Sequence, residues 1–190
     1  PAPLRPCGSP SAGLVFAVLH RPYKLLPPVF DVCMLLLPRV PGSVHWLSPG
    51  YPFAWDNLRR EAAARGVDPQ RLVFAPRLDL PEHLARHAHA DLFLDTSPYN
   101  AGTTANDALF MGVPVLTCSG ETMASRIAGS QLHAIGLPAL VTANFAAYEA
   151  RALRRAPEAP LLPAFPAPAR PTRPTHPPPP PAPHTHTPQP

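Results

Sequence analysis

From residue 14 to residue 155, apolar runs of strand length alternate with helix-length stretches, and each run is bounded by Pro, Gly or Asn clusters. Residues 14–19 (LVFAVL) are continuously apolar and predict a buried strand. Residues 29–37 predict a helix that stops at Pro38, because proline lacks the N–H needed to continue the ladder. A second strand is predicted at 44–47, followed by a Pro/Gly loop and a helix over 55–65 that is rich in Ala and Arg and closed by Gly66. The series continues with a strand at 71–75, a short helix at 81–87 with Pro81 in its first turn, a strand at 91–95 and a helix at 103–111. It closes with a strand at 113–117, a helix at 122–132 ending before Gly136, a short strand at 139–141 and a helix at 145–155. The strands are apolar throughout rather than on alternate positions, which requires cover on both faces. The expected fold is therefore α/β: a doubly wound, Rossmann-like parallel sheet.

Composition restricts where that fold lies. The chain has 190 residues and 32 prolines, of which 15 fall in the 34 residues from Pro157 onward, including the run Pro177 to Pro181. Such a segment adopts extended polyproline conformations without building a core. Three regions follow: a short N-terminal segment at 1–12 that is disordered or truncated, a folded lobe at 13–155, and a disordered Pro-rich tail at 156–190. The tail's sharper alternative is a ligand for SH3- or WW-type domains. Its histidines, His176, His184 and His186, do not make a metal site.

Charge excludes some functions. Formal net charge is +4, but the basic residues are spread along the chain without interleaved aromatics, so no nucleic-acid surface is expected. Cys7, Cys33 and Cys118 are odd in number and widely spaced, which argues against a disulfide framework or a zinc site and for a reducing compartment, the cytoplasm. The apolar runs are far shorter than the roughly 18 residues of a membrane span, so no membrane partner is expected. The opening at Pro1 without a charged and apolar leader suggests a fragment or a poorly defined gene end.

In a doubly wound sheet ligands bind outside the carboxyl ends of the strands. The richest loop there runs from Thr96 to Asp107, where Asn100, Gly102, Thr103 and Thr104 lead into a helix. Open backbone N–H groups, two hydroxyls and a positive helix terminus suit a phosphate or diphosphate. Asp107 lies one turn further along the same face, placed to accept hydrogen bonds from ribose hydroxyls. An ordinary helix capped by Thr103 or Thr104 is the competing reading. Lys24, beyond the first strand, could pair with a diphosphate or be a solvated loop residue. His83 and Arg86, at i and i+3, could both face the cleft or sit on a helix surface. Near Gly120, Glu121 and Arg126 are explained by the helix dipole and local pairing, and Cys33, Met34 and Cys118 by the core.

Several segments together resemble the O-linked N-acetylglucosamine transferases and their SPINDLY-like relatives. They are Tyr23-Lys24 with Pro28-Val-Phe-Asp; Arg39-Val-Pro-Gly-Ser-Val-His-Trp-Leu47; Arg71-Leu-Val-Phe with Glu82-His83-Leu-Ala-Arg86; Ala90-Asp-Leu-Phe-Leu-Asp-Thr96; Tyr99-Asn-Ala-Gly-Thr-Thr-Ala-Asn-Asp-Ala-Leu109; Gly112-Val-Pro-Val-Leu-Thr117; and Gly120-Glu-Thr-Met-Ala-Ser-Arg126. The resemblance implies the C-terminal, nucleotide-sugar-binding half of a two-lobed GT-B enzyme, with an N-terminal lobe and tetratricopeptide repeats lying outside this chain. It implies transfer of N-acetylglucosamine from UDP-N-acetylglucosamine to Ser/Thr hydroxyls of acceptor proteins, with inversion and without a metal cofactor, and no turnover by the lobe alone. By the same resemblance Lys24 is the catalytic lysine on the diphosphate, Thr103 and Thr104 bind phosphate, Asp107 holds the ribose, and His83, Arg86 and Gly102 line the nucleotide pocket. Gly102 stands where some members carry histidine, Leu80 near a lysine of animal relatives, and Arg21 and Pro22 alter the loop before Tyr23. GDP-fucose as donor, and a non-catalytic nucleotide-binding module with a partner-recruiting tail, are the alternatives.

Overall fold

A computed structural model describes residues 13–155, and the readings made of the N-terminal segment, of Cys7 and of the Pro-rich tail lie outside the described residues. Six parallel strands form one sheet in the order β3-β2-β1-β4-β5-β6: β1 (Val15–Val18), β2 (Val44–Leu47), β3 (Leu72–Phe74), β4 (Leu92–Leu94), β5 (Val115–Cys118) and β6 (Val141–Thr142). This is the doubly wound order, with its switch point where β1 meets β4.

The continuous apolar strands resolve into two faces with period two. Phe16 and Val18 of β1, Leu92 and Leu94 of β4, and Leu116 and Cys118 of β5 join one core layer with α1 (Pro27–Arg39), α2 (Pro52–Ala64) and α6 (Phe145–Arg155). Val15, Ala17, Trp46, Phe93 and Val115 point to the other, covered by α4 (Thr103–Phe110) and α5 (Ile127–Ala134). Cys33 and Cys118 are buried free thiols and Met34 is a core residue.

Several boundaries differ from the expected ones. Helix α1 starts two residues early, with Pro27 and Pro28 at N1 and N2, where no N–H is required. It also runs through Pro38 to Arg39: proline in the last turn gives up one hydrogen bond, while the Val40 N–H still reaches the Leu36 carbonyl at 3.0 Å. Helix α2 likewise begins at Pro52, three residues before Trp55. Residues 138–140 form a 3-10 turn, so β6 is only Val141–Thr142. Gly66, at φ +72°, ends α2 as its composition implied, since a side chain at that angle is strained.

One buried polar group gives the fold a pH response. His45 of β2 donates from Nε2 to the Cys33 carbonyl at 2.7 Å, while its Nδ1 has no partner. Burial depresses its pKa to about 4. A histidine whose folded pKa lies below its unfolded value stabilises the neutral state, so its contribution is complete above pH 6.5 and is lost as pH falls towards 4. Thermal melts are expected to fall through that window, and His45→Gln to flatten the slope; a variant as steeply pH-dependent as the parent would contradict the assignment.

Candidate functional site

The site is built at the switch point from the loops that leave β1 and β4. Beyond β1 the chain turns through a 3-10 element, Pro22–Lys24, which presents Lys24, the only lysine of the sequence. Its ammonium donates to the Asn100 carbonyl at 3.2 Å and lies 3.7 Å from the Tyr99 ring centroid. Partial burial lowers the Lys24 pKa, and the negative charge of Asp95 opposes that shift.

The β4 loop ends on Gly102, the N-cap of α4, and no side chain caps this helix. The expected Thr caps are therefore absent, and the orphan N–H groups of the first turn remain available beside the Thr103 and Thr104 hydroxyls. A Cβ at Gly102 would meet Ile127 Cγ2 at 3.6 Å, an ordinary contact, so the space at the helix mouth admits a side chain.

His20, buried at the exit of β1, links the two loops. Its Nε2–H donates to the Leu94 carbonyl at 3.2 Å, which leaves Nδ1 as the acceptor for the Thr104 hydroxyl at 3.4 Å. Burial drives its pKa down to about 3, so the imidazole is neutral.

Asp107 and His83 meet from α4 and α3 (Leu80–Arg86), with His83 Nε2 3.9 Å from Asp107 Oδ2. Arg86 donates to His83 Nδ1, which places the His83 proton on Nε2, facing the carboxylate. Burial, with the positive charge of Arg86, lowers the His83 pKa to about 4, and burial raises that of Asp107.

Arg86 itself is turned inward. It is 3% exposed, donates to the Pro76 carbonyl at 2.8 Å, and sits 5.7 Å from the Trp46 ring. It donates to His83 Nδ1 from within the fold, so the two residues neither face the cleft together nor share an exposed helix surface. Lys24 thus rests on the loop that leads into Gly102, Thr103 and Thr104, while Asp107, one turn along α4, faces His83 of α3.

Composition and spacing did not single out His20 or Asp95, whereas Asn100 was among the loop residues they did. Asp95 and Asn100 are fully buried, and Asn100 donates to the Thr96 carbonyl at 2.7 Å. The available signal was a carboxylate ending an otherwise apolar strand. Among the described residues no group of three or more His, Cys, Asp or Glu could hold a metal ion, and no helix is long and apolar enough to cross a membrane. Arg126 does pair locally, donating to the Gly120 carbonyl at 2.9 Å.

A parallel sheet of order 3-2-1-4-5-6, with an uncapped helix terminus beside its switch point, defines a Rossmann-like domain. The chain belongs to glycosyl transferase family 41, whose sequence profile matches residues 5–173.

It is 37% identical over 146 residues to a UDP-N-acetylglucosamine–peptide N-acetylglucosaminyltransferase of Caenorhabditis elegans, covering 76% of this chain and 13% of that protein. A probable enzyme of the same name, SEC, from Arabidopsis thaliana is 36% identical over 151 residues, covering 78% and 15% respectively. The chain therefore spans a small fraction of the length of these relatives. Among solved structures, a mutant O-GlcNAc transferase of Thermobaculum terrenum superposes with a TM-score of 0.74 at 32% identity, over 81% of this chain and 30% of that one. A UDP-GlcNAc 2-epimerase from Neisseria meningitidis shares the fold at 12% identity, with a TM-score of 0.54 over 77% of this chain and 37% of that one.

Proposed function

We propose that this chain is the donor-binding lobe of a protein O-linked N-acetylglucosamine transferase, half of a GT-B enzyme whose other lobe and helical repeats lie outside it. The reading is supported by Lys24 resting on the loop that leads into the uncapped α4 terminus, with Asp107 one turn along that helix, in a chain whose relatives are named for UDP-N-acetylglucosamine.

In this reading the donor diphosphate lies at the first turn of α4, against the Thr103 and Thr104 hydroxyls, and Asp107 accepts from the ribose hydroxyls. His83, held by Arg86, borders the nucleoside. A Ser/Thr hydroxyl of the acceptor protein attacks the anomeric carbon from the face opposite UDP, the glycosidic bond to UDP breaks, and configuration inverts. Charge grows on the leaving diphosphate during that step. The Lys24 ammonium and the helix terminus stabilise it more in the transition state than in the ground state, which is what lowers the barrier. Buried free thiols at Cys33 and Cys118 fit a reducing, cytoplasmic setting.

Calorimetry with the 190-residue chain tests the site: UDP is expected to bind weakly but saturably, and uridine, which lacks the diphosphate, not measurably. Asp107→Ala is expected to weaken UDP about tenfold, the effect of losing a charge-assisted hydrogen bond. Absence of UDP binding by the parent chain would overturn the reading.

A further inference from the structure

The best-connected polar group in the crevice is one that does not open onto it. Asp95 follows β4 and is 1% exposed. One carboxylate oxygen, Oδ1, accepts from the Thr96 and Ala101 N–H groups, each at 2.7 Å, and the other, Oδ2, accepts from the Thr117 hydroxyl at 2.6 Å. The Asp95 carbonyl takes the Tyr148 hydroxyl at 2.9 Å, and its N–H reaches the Leu116 carbonyl at 2.9 Å. One residue thus pins both ends of the loop from Thr96 to Ala101 to β5 and α6. That loop carries the Asn100 carbonyl on which Lys24 rests and delivers the chain into Gly102 and the open end of α4.

We propose that Asp95 is a positioning residue of the diphosphate site: its buried side chain holds the Thr96–Ala101 loop in register, so that Lys24, which rests on that loop, and the helix terminus are presented together. The proposal rests on the reading of this crevice as a diphosphate site. The titratable groups around Asp95 are His20 and Lys24 from the β1 exit, Cys118 from β5 and Tyr148 from α6. Burial raises the pKa of Cys118 and, more strongly, of Tyr148, keeps His20 neutral, and pushes the Asp95 carboxyl up to about 7 against the hydrogen bonds from Thr117, Ala101 and Thr96.

Two substitutions separate the loop-holding role from the charge. In Asp95→Asn the amide oxygen can still accept from the Thr96 and Ala101 N–H groups, and the amide NH2 can donate to Thr117 once that hydroxyl rotates. The loop is kept and the charge is lost. Asp95→Ala loses both. Because Lys24 is the only lysine, its Cε resonance in [13C]lysine-labelled chain reports its seat on the Asn100 carbonyl and the Tyr99 ring without assignment or ligand. The expected result is a Cε shift that moves in Asp95→Ala, where the loop loses its hydrogen bonds, and is kept in Asp95→Asn. UDP affinity is expected to fall by about tenfold or more in Asp95→Ala and to be largely restored in Asp95→Asn, since buried hydrogen bonds set the loop.

A Lys24 Cε shift unmoved by Asp95→Ala would overturn the loop-holding role, whatever UDP does. Equal UDP affinity in the parent and in a folded Asp95→Ala chain would overturn the positioning. A parent chain that ignores UDP while its Lys24 Cε shift does respond to Asp95→Ala would overturn the diphosphate reading and the positioning role built on it, while leaving the hold of Asp95 on the loop in place.

Discussion

Replacing Lys24 with alanine is expected to weaken UDP binding by roughly 10- to 150-fold, corresponding to about 1.5–3 kcal/mol for a hydrogen bond to a charged group. The ammonium rests on the Asn100 carbonyl and the face of Tyr99, both in the loop that leads to α4, so its removal takes away the cation nearest the helix mouth without touching the sheet. In the whole enzyme the loss should be larger in rate than in affinity. A donor aimed at charge that appears in the transition state is worth about 10²–10³ in kcat. Lys24→Arg is expected to restore affinity only partly, because the planar guanidinium cannot occupy the position of a compact ammonium between the Tyr99 ring and a carbonyl. Calorimetry on the chain and donor turnover by the whole enzyme read the two effects separately. An affinity within twofold of the parent would remove Lys24 from the site.

The second large effect is structural. Phe93→Ala is expected to cost about 3–5 kcal/mol and to lower the melting temperature by about 10 °C. Phe93 is fully buried in the central strand β4, and the edge of the His20 ring packs on it with centroids 4.8 Å apart. The substitution leaves a cavity beneath the residue that joins the two site loops. Stability and the His20–Thr104 contact should therefore fail together, whereas Phe93→Leu should preserve most of both. Circular dichroism melts give the test; a drop of less than about 3 °C would mean that the core relaxes to fill the space.

How much of this was legible in the sequence depended on how local the cause was. Residues 44–47 form β2 with the expected bounds, because the run is apolar and turns flank it on both sides. The helix starts at Pro27 and Pro52 were missed because proline was read as a breaker, although at N1 it costs nothing. Lys24, Thr103, Thr104 and Asp107 could be picked out as candidates because their chemistry follows from residue type at a strand exit. Arg86 could not be oriented, since its inward turn depends on Trp46 and on the Pro76 carbonyl. Asp95 and His20 were invisible as site residues for the same reason: their partners lie up to 53 and 84 residues away in sequence and become neighbours only when β1, β4 and β5 pair and α6 packs on them. Long-range hydrogen bonding leaves no periodic trace in a sequence.

The diphosphate reading makes one prediction that involves every part of the crevice at once. In a UDP titration followed by NMR, the Lys24 Cε resonance and the backbone amides of Gly102, Thr103, Thr104 and Asp107 should shift together along one saturable curve, while amides on the opposite edge of the sheet stay still. Saturable shifts confined to another surface, or no saturation at all, would contradict a nucleoside-diphosphate site at the β1–β4 switch point.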